Sequence, residues 1–152
     1  MRRLELKIYP LAVLLVCLIF NLLIVSIVPS HRELAVFQWL WPGLLLCGFA
    51  LPLIGVWQFK QAATTVDPTQ PAKSLKLVTH GVYAYTRNPM YLGFLLLLLA
   101  QVCWLGQLVT LSGCVIFVVY LQLFQINPEQ RFLQQQFGAQ YTEYCQRVRP
   151  WL

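Results

Sequence analysis

Apolar residues in this chain neither alternate nor form a narrow stripe. They come in four long blocks separated by polar stretches. The first block runs from about Ile8 to Val28, the second from about Leu34 to Phe59, the third from about Met90 to Gly106 and the fourth from about Leu108 to Ile126. Each is close to the roughly 17 to 25 residues that a helix needs to cross the hydrocarbon core. Lipid offers no partner for a bare peptide group, so a helix is the structure each block can adopt there. Blocks three and four follow one another so closely that they must form a hairpin. The predicted fold is therefore all-α and polytopic, with about four transmembrane helices in a single membrane-embedded domain over residues 1–152.

Two polar stretches remain. Residues 64–89 contain Asp67-Pro68, Gln70-Pro71, Ser74 and Gly81, and read as a loop with little regular structure. Residues 127–148 carry Leu133, Phe137, Tyr141, Tyr144 and Val148 at helical spacing, which predicts an amphipathic helix interrupted near Gly138. Within the second block, Pro42 and Pro52 imply bends, while Gly43, Gly48 and Gly55 allow a neighbouring helix to come close. Asn21, the amide within block one, is expected to face the bundle and find a partner there.

Composition agrees with a lipid environment. The chain is 59% hydrophobic and 11% charged, against about a quarter charged in a water-soluble domain. Its net charge of +6 does not indicate nucleic acid, because the charges lie between apolar runs and form no basic stripe interleaved with aromatics. They act instead as an orientation signal. Arg2, Arg3, Lys7, Lys60, Lys73, Lys76, Arg87, Arg131, Arg147 and Arg149 fall in one set of loops, and Arg32 alone falls in the other. That asymmetry predicts that both termini face the cytoplasm. Block one is too long for a signal-peptide core, and Val28-Pro29-Ser30-His31 lacks a small-x-small cleavage site. The five cysteines make no CxxC pair and no metal-ligand spacing, so no metal is expected. Cys17, Cys47, Cys103 and Cys114 read as small apolar side chains.

Two Asn-Pro pairs stand at what read as helix starts, Asn88-Pro89 and Asn127-Pro128. Asn caps free backbone N–H groups, and Pro has no N–H to leave unsatisfied at the first helical position. Two positive dipole ends converging at one depth would suit a carboxylate or phosphate. Helix initiation alone also accounts for both pairs. Glu129 equally suits a first helical turn, Arg87 a membrane anchor, and Tyr83, Tyr85 and Tyr91 the aromatic belt.

The order of residues says more. Leu77-Val78-Thr79-His80-Gly81-Val82-Tyr83-Ala84-Tyr85-Thr86-Arg87-Asn88-Pro89-Met90-Tyr91-Leu92-Gly93 resembles the signature L-V-T-x-G-x-Y-x-x-x-R-[HN]-P-x-Y-x-G. That signature belongs to the isoprenylcysteine carboxyl methyltransferase and phospholipid methyltransferase superfamily. A second block, Pro128-Glu129-Gln130-Arg131-Phe132-Leu133 with Phe137-Gly138, Tyr141, Tyr144 and Val148, is similar to the superfamily's C-terminal E-E-x-x-L-x-x-x-F-G-x-x-Y-x-x-Y. The resemblance implies an integral membrane methyltransferase using S-adenosylmethionine, bound between the loop motif and the C-terminal helix. It places cofactor contacts on Leu75, Lys76, Leu77, Val78, Tyr83, Asn88, Pro89, Met90, Tyr91 and Glu129, and makes Glu129 and Arg131 the catalytic candidates. Methyl transfer from a sulfonium mainly requires an aligned acceptor and exclusion of water, so no triad or metal is needed. The implied partners are membrane lipids and a small lipophilic or lipid-like acceptor.

Three positions depart from the pattern. Asn88 stands where the isoprenylcysteine enzymes have His, and Gln130 replaces the second acid of the Glu-Glu pair. Gln125 stands where those enzymes carry an Arg that pairs with the substrate carboxylate, which leaves Gln125 and Arg131 as the acceptor-side candidates. Gln cannot make the two parallel charged hydrogen bonds of an Arg–carboxylate pair. The expected acceptor is therefore not a prenylcysteine carboxylate. The rivals are a phospholipid amine, an isoprenylcysteine-type carboxylate after all and, outside enzymes, a membrane scaffold that keeps the fold without the activity.

Overall fold

The structure of the protein, a computed structural model, describes residues 5–28, 33–62 and 76–152. The basic residues Arg2, Arg3, Arg32 and Lys73, and the candidate ligand Leu75, lie outside the described residues. No strand is found among those described.

Helix α1 spans Pro10–Ile27, and a 3-10 turn over Ala35–Leu40 runs into α2, Trp41–Gln61. Helix α3 spans Pro89–Leu105, and a short 3-10 turn over Leu108–Thr110 leads into α4, Leu111–Leu121. A π turn over Gln122–Ile126 joins α4 to α5, Asn127–Phe137, and α6 follows over Ala139–Arg147. The stretches Pro10–Ile27, Ala35–Gln61 and Leu108–Phe137 are long and apolar enough to cross a membrane, while Pro89–Leu105 is apolar but only 17 residues long. The protein is an all-α polytopic membrane protein.

Helix α3 is the hub. It packs against α1, α2 and α4, and Trp104 is its one large exposed apolar side chain. A helix apolar all round is suited to burial on every face. The outer helices instead present Leu15, Val16, Ile19 and Leu23 of α1, and Leu46, Phe49, Leu53 and Trp57 of α2. These are the surfaces for lipid. The α2–α3 crossing is close because Gly93 sits under the Pro52 ring and the Gly48 carbonyl, and Gly48 in turn under Leu97. The glycine expectation holds for Gly48 and Gly55, both buried. It fails for Gly43, which is exposed with no described atom within 4 Å of where a Cβ would stand. Pro42 lies at the start of α2 and Pro52 inside it.

Asn21 faces the bundle as expected. It is fully buried, and its Nδ2 donates to Gln101 Oε1 at 3.1 Å while Gln101 Nε2 donates to the Leu18 carbonyl at 3.0 Å. Replacing Asn21 by Leu breaks this α1–α3 link and crowds Gly113, which packs against the amide. A loss of about 1–3 kcal/mol is expected, measured as a lower thermal midpoint in detergent.

The two Asn-Pro pairs are not equivalent. Asn88 does occupy the N-cap position of α3, though its side chain caps nothing. Asn127 caps no free helix start, although α5 is counted from it: its backbone is helical at φ −61° and ψ −44°, and its N–H bonds the Gln122 carbonyl five residues back. Pro128 removes one N–H and its ring crowds the carbonyl four residues earlier. The wider π turn relieves that crowding, so α4 continues into α5. Of the two Asn-Pro pairs, only Asn88-Pro89 therefore stands at a free helix N-terminus, and the expected convergence of their two dipoles does not form. The break near Gly138 is present, at a φ of +51° that suits glycine. Beyond it Tyr141, Tyr144 and Val148 turn inward onto Leu77, Leu133 and Phe137.

Candidate functional site

The described ends of the chain meet the 76–88 loop at one end of the bundle. The Leu6 N–H donates to the Phe124 carbonyl at 3.0 Å, and the Arg87 N–H to the Arg149 carbonyl at 3.0 Å. Asn88 Nδ2 donates to the Pro150 carbonyl at 2.8 Å, and the Thr86 hydroxyl reaches the same oxygen at 3.3 Å. The Asn88 side chain, predicted as a cap or ligand, thus tethers the C-terminal tail. Trp151 Nε1 donates to Gln122 Oε1 at 3.1 Å, and Gln122 Nε2 donates to Asn127 Oδ1 at 2.7 Å.

Two residues shape the loop. Gly81 has a φ of +62° and lies so close to the Gln58 amide that any Cβ would overlap it. Gln58 Oε1 accepts from the Val82 N–H at 3.3 Å. From the other side, the Tyr144 hydroxyl donates to the Tyr83 carbonyl at 2.6 Å. Burial and the neighbouring Tyr141 push the Tyr144 hydroxyl well up, so it stays a protonated donor. Tyr144→Phe leaves that carbonyl without its partner, at a cost of about 1 kcal/mol. Faster amide hydrogen exchange over Gly81–Thr86 is the measurement that checks it.

Inside the clamp lies a polar cluster. Glu129 Oε1 accepts from the Tyr91 hydroxyl at 2.6 Å and from Gln125 Nε2 at 2.7 Å. Tyr91 and Gln125 are buried at 4% and 2% exposure, so both donors are spent where water does not compete. Tyr83 is equally buried and packs its ring edge-on against Phe59. Its hydroxyl finds no partner among the described residues, and burial with the nearby Tyr144 and Glu129 keeps it protonated. An orphaned buried donor within electrostatic range of Glu129 is what a polar ligand would satisfy.

The structure thus brings Tyr83, Tyr91, Gln125 and Glu129 together. Val78 and Pro89 are buried, and Pro89 and Met90 pack beside Gly55 near the Tyr83 hydroxyl. Leu77 lies instead against α6, and Lys76 is exposed at the start of the loop. Arg131 points elsewhere: its guanidinium pairs with Glu5, and the side chain is 58% exposed. It lies one residue along from Gln130, on a different face of α5 from Glu129. The catalytic and acceptor roles expected of Arg131 therefore have no support in its placement. Gln58 and the Arg149–Pro150 tail were missed from sequence. A Gln at the end of an apolar block was the available signal for the first, and nothing local marked the second.

A family model described as phospholipid methyltransferase matches residues 36–140, well over half the chain and including the loop, Tyr91, Gln125 and Glu129. The chain belongs to the phospholipid methyltransferase family. Among its relatives, a protein-S-isoprenylcysteine O-methyltransferase of Schizosaccharomyces pombe is 32% identical over 108 residues, covering 70% of this chain and 45% of that protein. Protein-S-isoprenylcysteine O-methyltransferase B of Arabidopsis thaliana is 41% identical over 75 residues, covering 48% of this chain and 37% of its own length. An uncharacterized Haemophilus influenzae protein is 44% identical over 63 residues, which is 41% of this chain and the whole of that protein. This family member spans less than half the length of those two isoprenylcysteine relatives. No solved structure matches it.

Proposed function

We propose that the protein transfers a methyl group from S-adenosylmethionine to a small lipophilic or lipid-like acceptor, at the cytoplasmic face of a bacterial inner membrane. The observation that carries this reading is the Glu129 carboxylate, held by Tyr91 and Gln125 beside the unpartnered Tyr83 hydroxyl. S-adenosylmethionine supplies an already activated methyl group on a sulfonium. Glu129 would attract the ammonium of its methionine end, and Tyr83 would donate a hydrogen bond from its free hydroxyl. The backbone of Lys76 to Val78 and the start of α3 would border the rest. The chain's further task is to keep Tyr91 and Gln125 fixed, so that the carboxylate stays in place while apolar helices exclude water.

The acceptor reading rests on Gln125. Its amide is committed to Glu129, and no Arg or Lys bonds this carboxylate among the described residues. A pocket of that charge disfavours a carboxylate acceptor and suits a neutral or amine nucleophile. The test uses purified protein, methyl-labelled S-adenosylmethionine, lipid extracts and a farnesylcysteine analogue. Label is expected in a lipid species and not in the analogue; carboxyl methylation of the analogue would overturn the acceptor reading. No labelled product and no cofactor binding would favour the scaffold.

A further inference from the structure

Outside the Tyr91–Glu129 cluster, an open groove of about 650 Å³ lies where α5 and α6 meet Arg87, lined by Arg87, Gln130, Arg131, Gln134, Tyr141 and Cys145 among others. We propose that this groove binds a phosphate-type oxyanion. Among the described residues no carboxylate lines it, while two guanidiniums and several amides do. Arg87 carries a specific sign of incompleteness. One terminal nitrogen donates to Cys145 Sγ at 2.7 Å, but its buried Nε has no partner among the described residues. A buried guanidinium N–H without an acceptor is costly, and an oxyanion is the ligand that a planar fork of donors recognises best.

Arg131 approaches from the solvent side and is paired with Glu5. That contact is exposed and weak by nature, so a doubly charged phosphate can share or displace it. Glu5 is then a built-in competitor. The groove sits at the polar end of the membrane helices, so the phosphate can belong to a lipid headgroup or arrive from solution. Both present the same chemistry to Arg87 and Arg131.

The test uses the full chain in detergent. Inorganic phosphate is titrated by calorimetry, and maleimide labelling of Cys145 is followed by peptide mass spectrometry with chloride at equal ionic strength as control. Saturable heat and a slowing of Cys145 labelling by about threefold or more are expected. Arg131→Gln should weaken binding about tenfold, and Glu5→Gln should strengthen it. Arg131 is exposed, so its replacement keeps the test sound if Arg87→Gln fails to fold. Nanodiscs with and without phosphatidylglycerol distinguish the sources. Slower labelling with the anionic lipid alone assigns a headgroup, and slowing by phosphate in both assigns a soluble ion. Absence of heat with wild-type protein, or unchanged binding in Arg131→Gln, overturns the proposal. Neither readout depends on methyl transfer.

Discussion

Glu129→Gln is expected to lower affinity for S-adenosylmethionine by ten- to a hundredfold while leaving the fold intact. The carboxylate is the one acidic group the Tyr91 and Gln125 donors converge on. A hydrogen bond to a charged group is worth about 1.5–3 kcal/mol, which corresponds to roughly that range in affinity. Gln is nearly isosteric and still offers a carbonyl oxygen to Tyr91 and Gln125. Losing the charge therefore removes the attraction for an ammonium without emptying the cluster. Glu129→Ala is harsher, because it strands two buried donors at about 1–3 kcal/mol each. Calorimetry with the cofactor and its demethylated product checks the affinity, and a thermal melt separates the two variants. Unchanged affinity in Glu129→Gln would remove Glu129 from the donor site.

The membrane helices were legible because block length and the absence of charge are local properties. Helices or 3-10 turns begin at Pro10, Ala35, Pro89 and Leu108, close to where the apolar blocks begin. The inward stripe Leu133, Phe137, Tyr141, Tyr144, Val148 was legible for the same reason, since helical spacing is written in the sequence. Asn127-Pro128 was misleading because one dipeptide has two physical outcomes. It can start a helix, or it can be absorbed by a π turn when the preceding helix is held by packing. Here Leu121 just before that turn and Ile126 at its end are fully buried, and tertiary packing overrode the local stop signal. The loop's supports were not legible at all. Gln58 to Val82, Tyr144 to Tyr83 and Asn88 to Pro150 join residues far apart in the chain, and single-sequence patterns carry no record of such pairings. Arg131 stands two places from Glu129, so helix geometry alone turns it to another face; its pairing with Glu5, far away in the chain, is what the sequence did not carry.

Gly93→Leu is expected to produce the largest loss of stability of any single change in the bundle. A Cβ at Gly93 would stand 2.6 Å from Pro52 Cγ and 2.9 Å from the Gly48 carbonyl oxygen. One contact is a rigid ring within α2 and the other is backbone, so neither can yield by a rotamer change. The two helices must separate, and the tight packing that holds them in lipid is lost with the separation. A cost of about 3 kcal/mol or more follows from overpacking of this kind, with Gly93→Ala intermediate. The consequence reaches the polar cluster, because Tyr91 is two residues away on α3 and its hydroxyl must stay at 2.6 Å from Glu129. Thermal unfolding in detergent and cofactor calorimetry should therefore fall together in Gly93→Leu. Gly43→Leu is the control, since no described atom lies within 4 Å of that position. Its stability should stay within about 0.5 kcal/mol of the parent. Equal losses at Gly43 and Gly93 would mean that the cost comes from placing leucine in α2 or α3 at all, and not from the α2–α3 crossing.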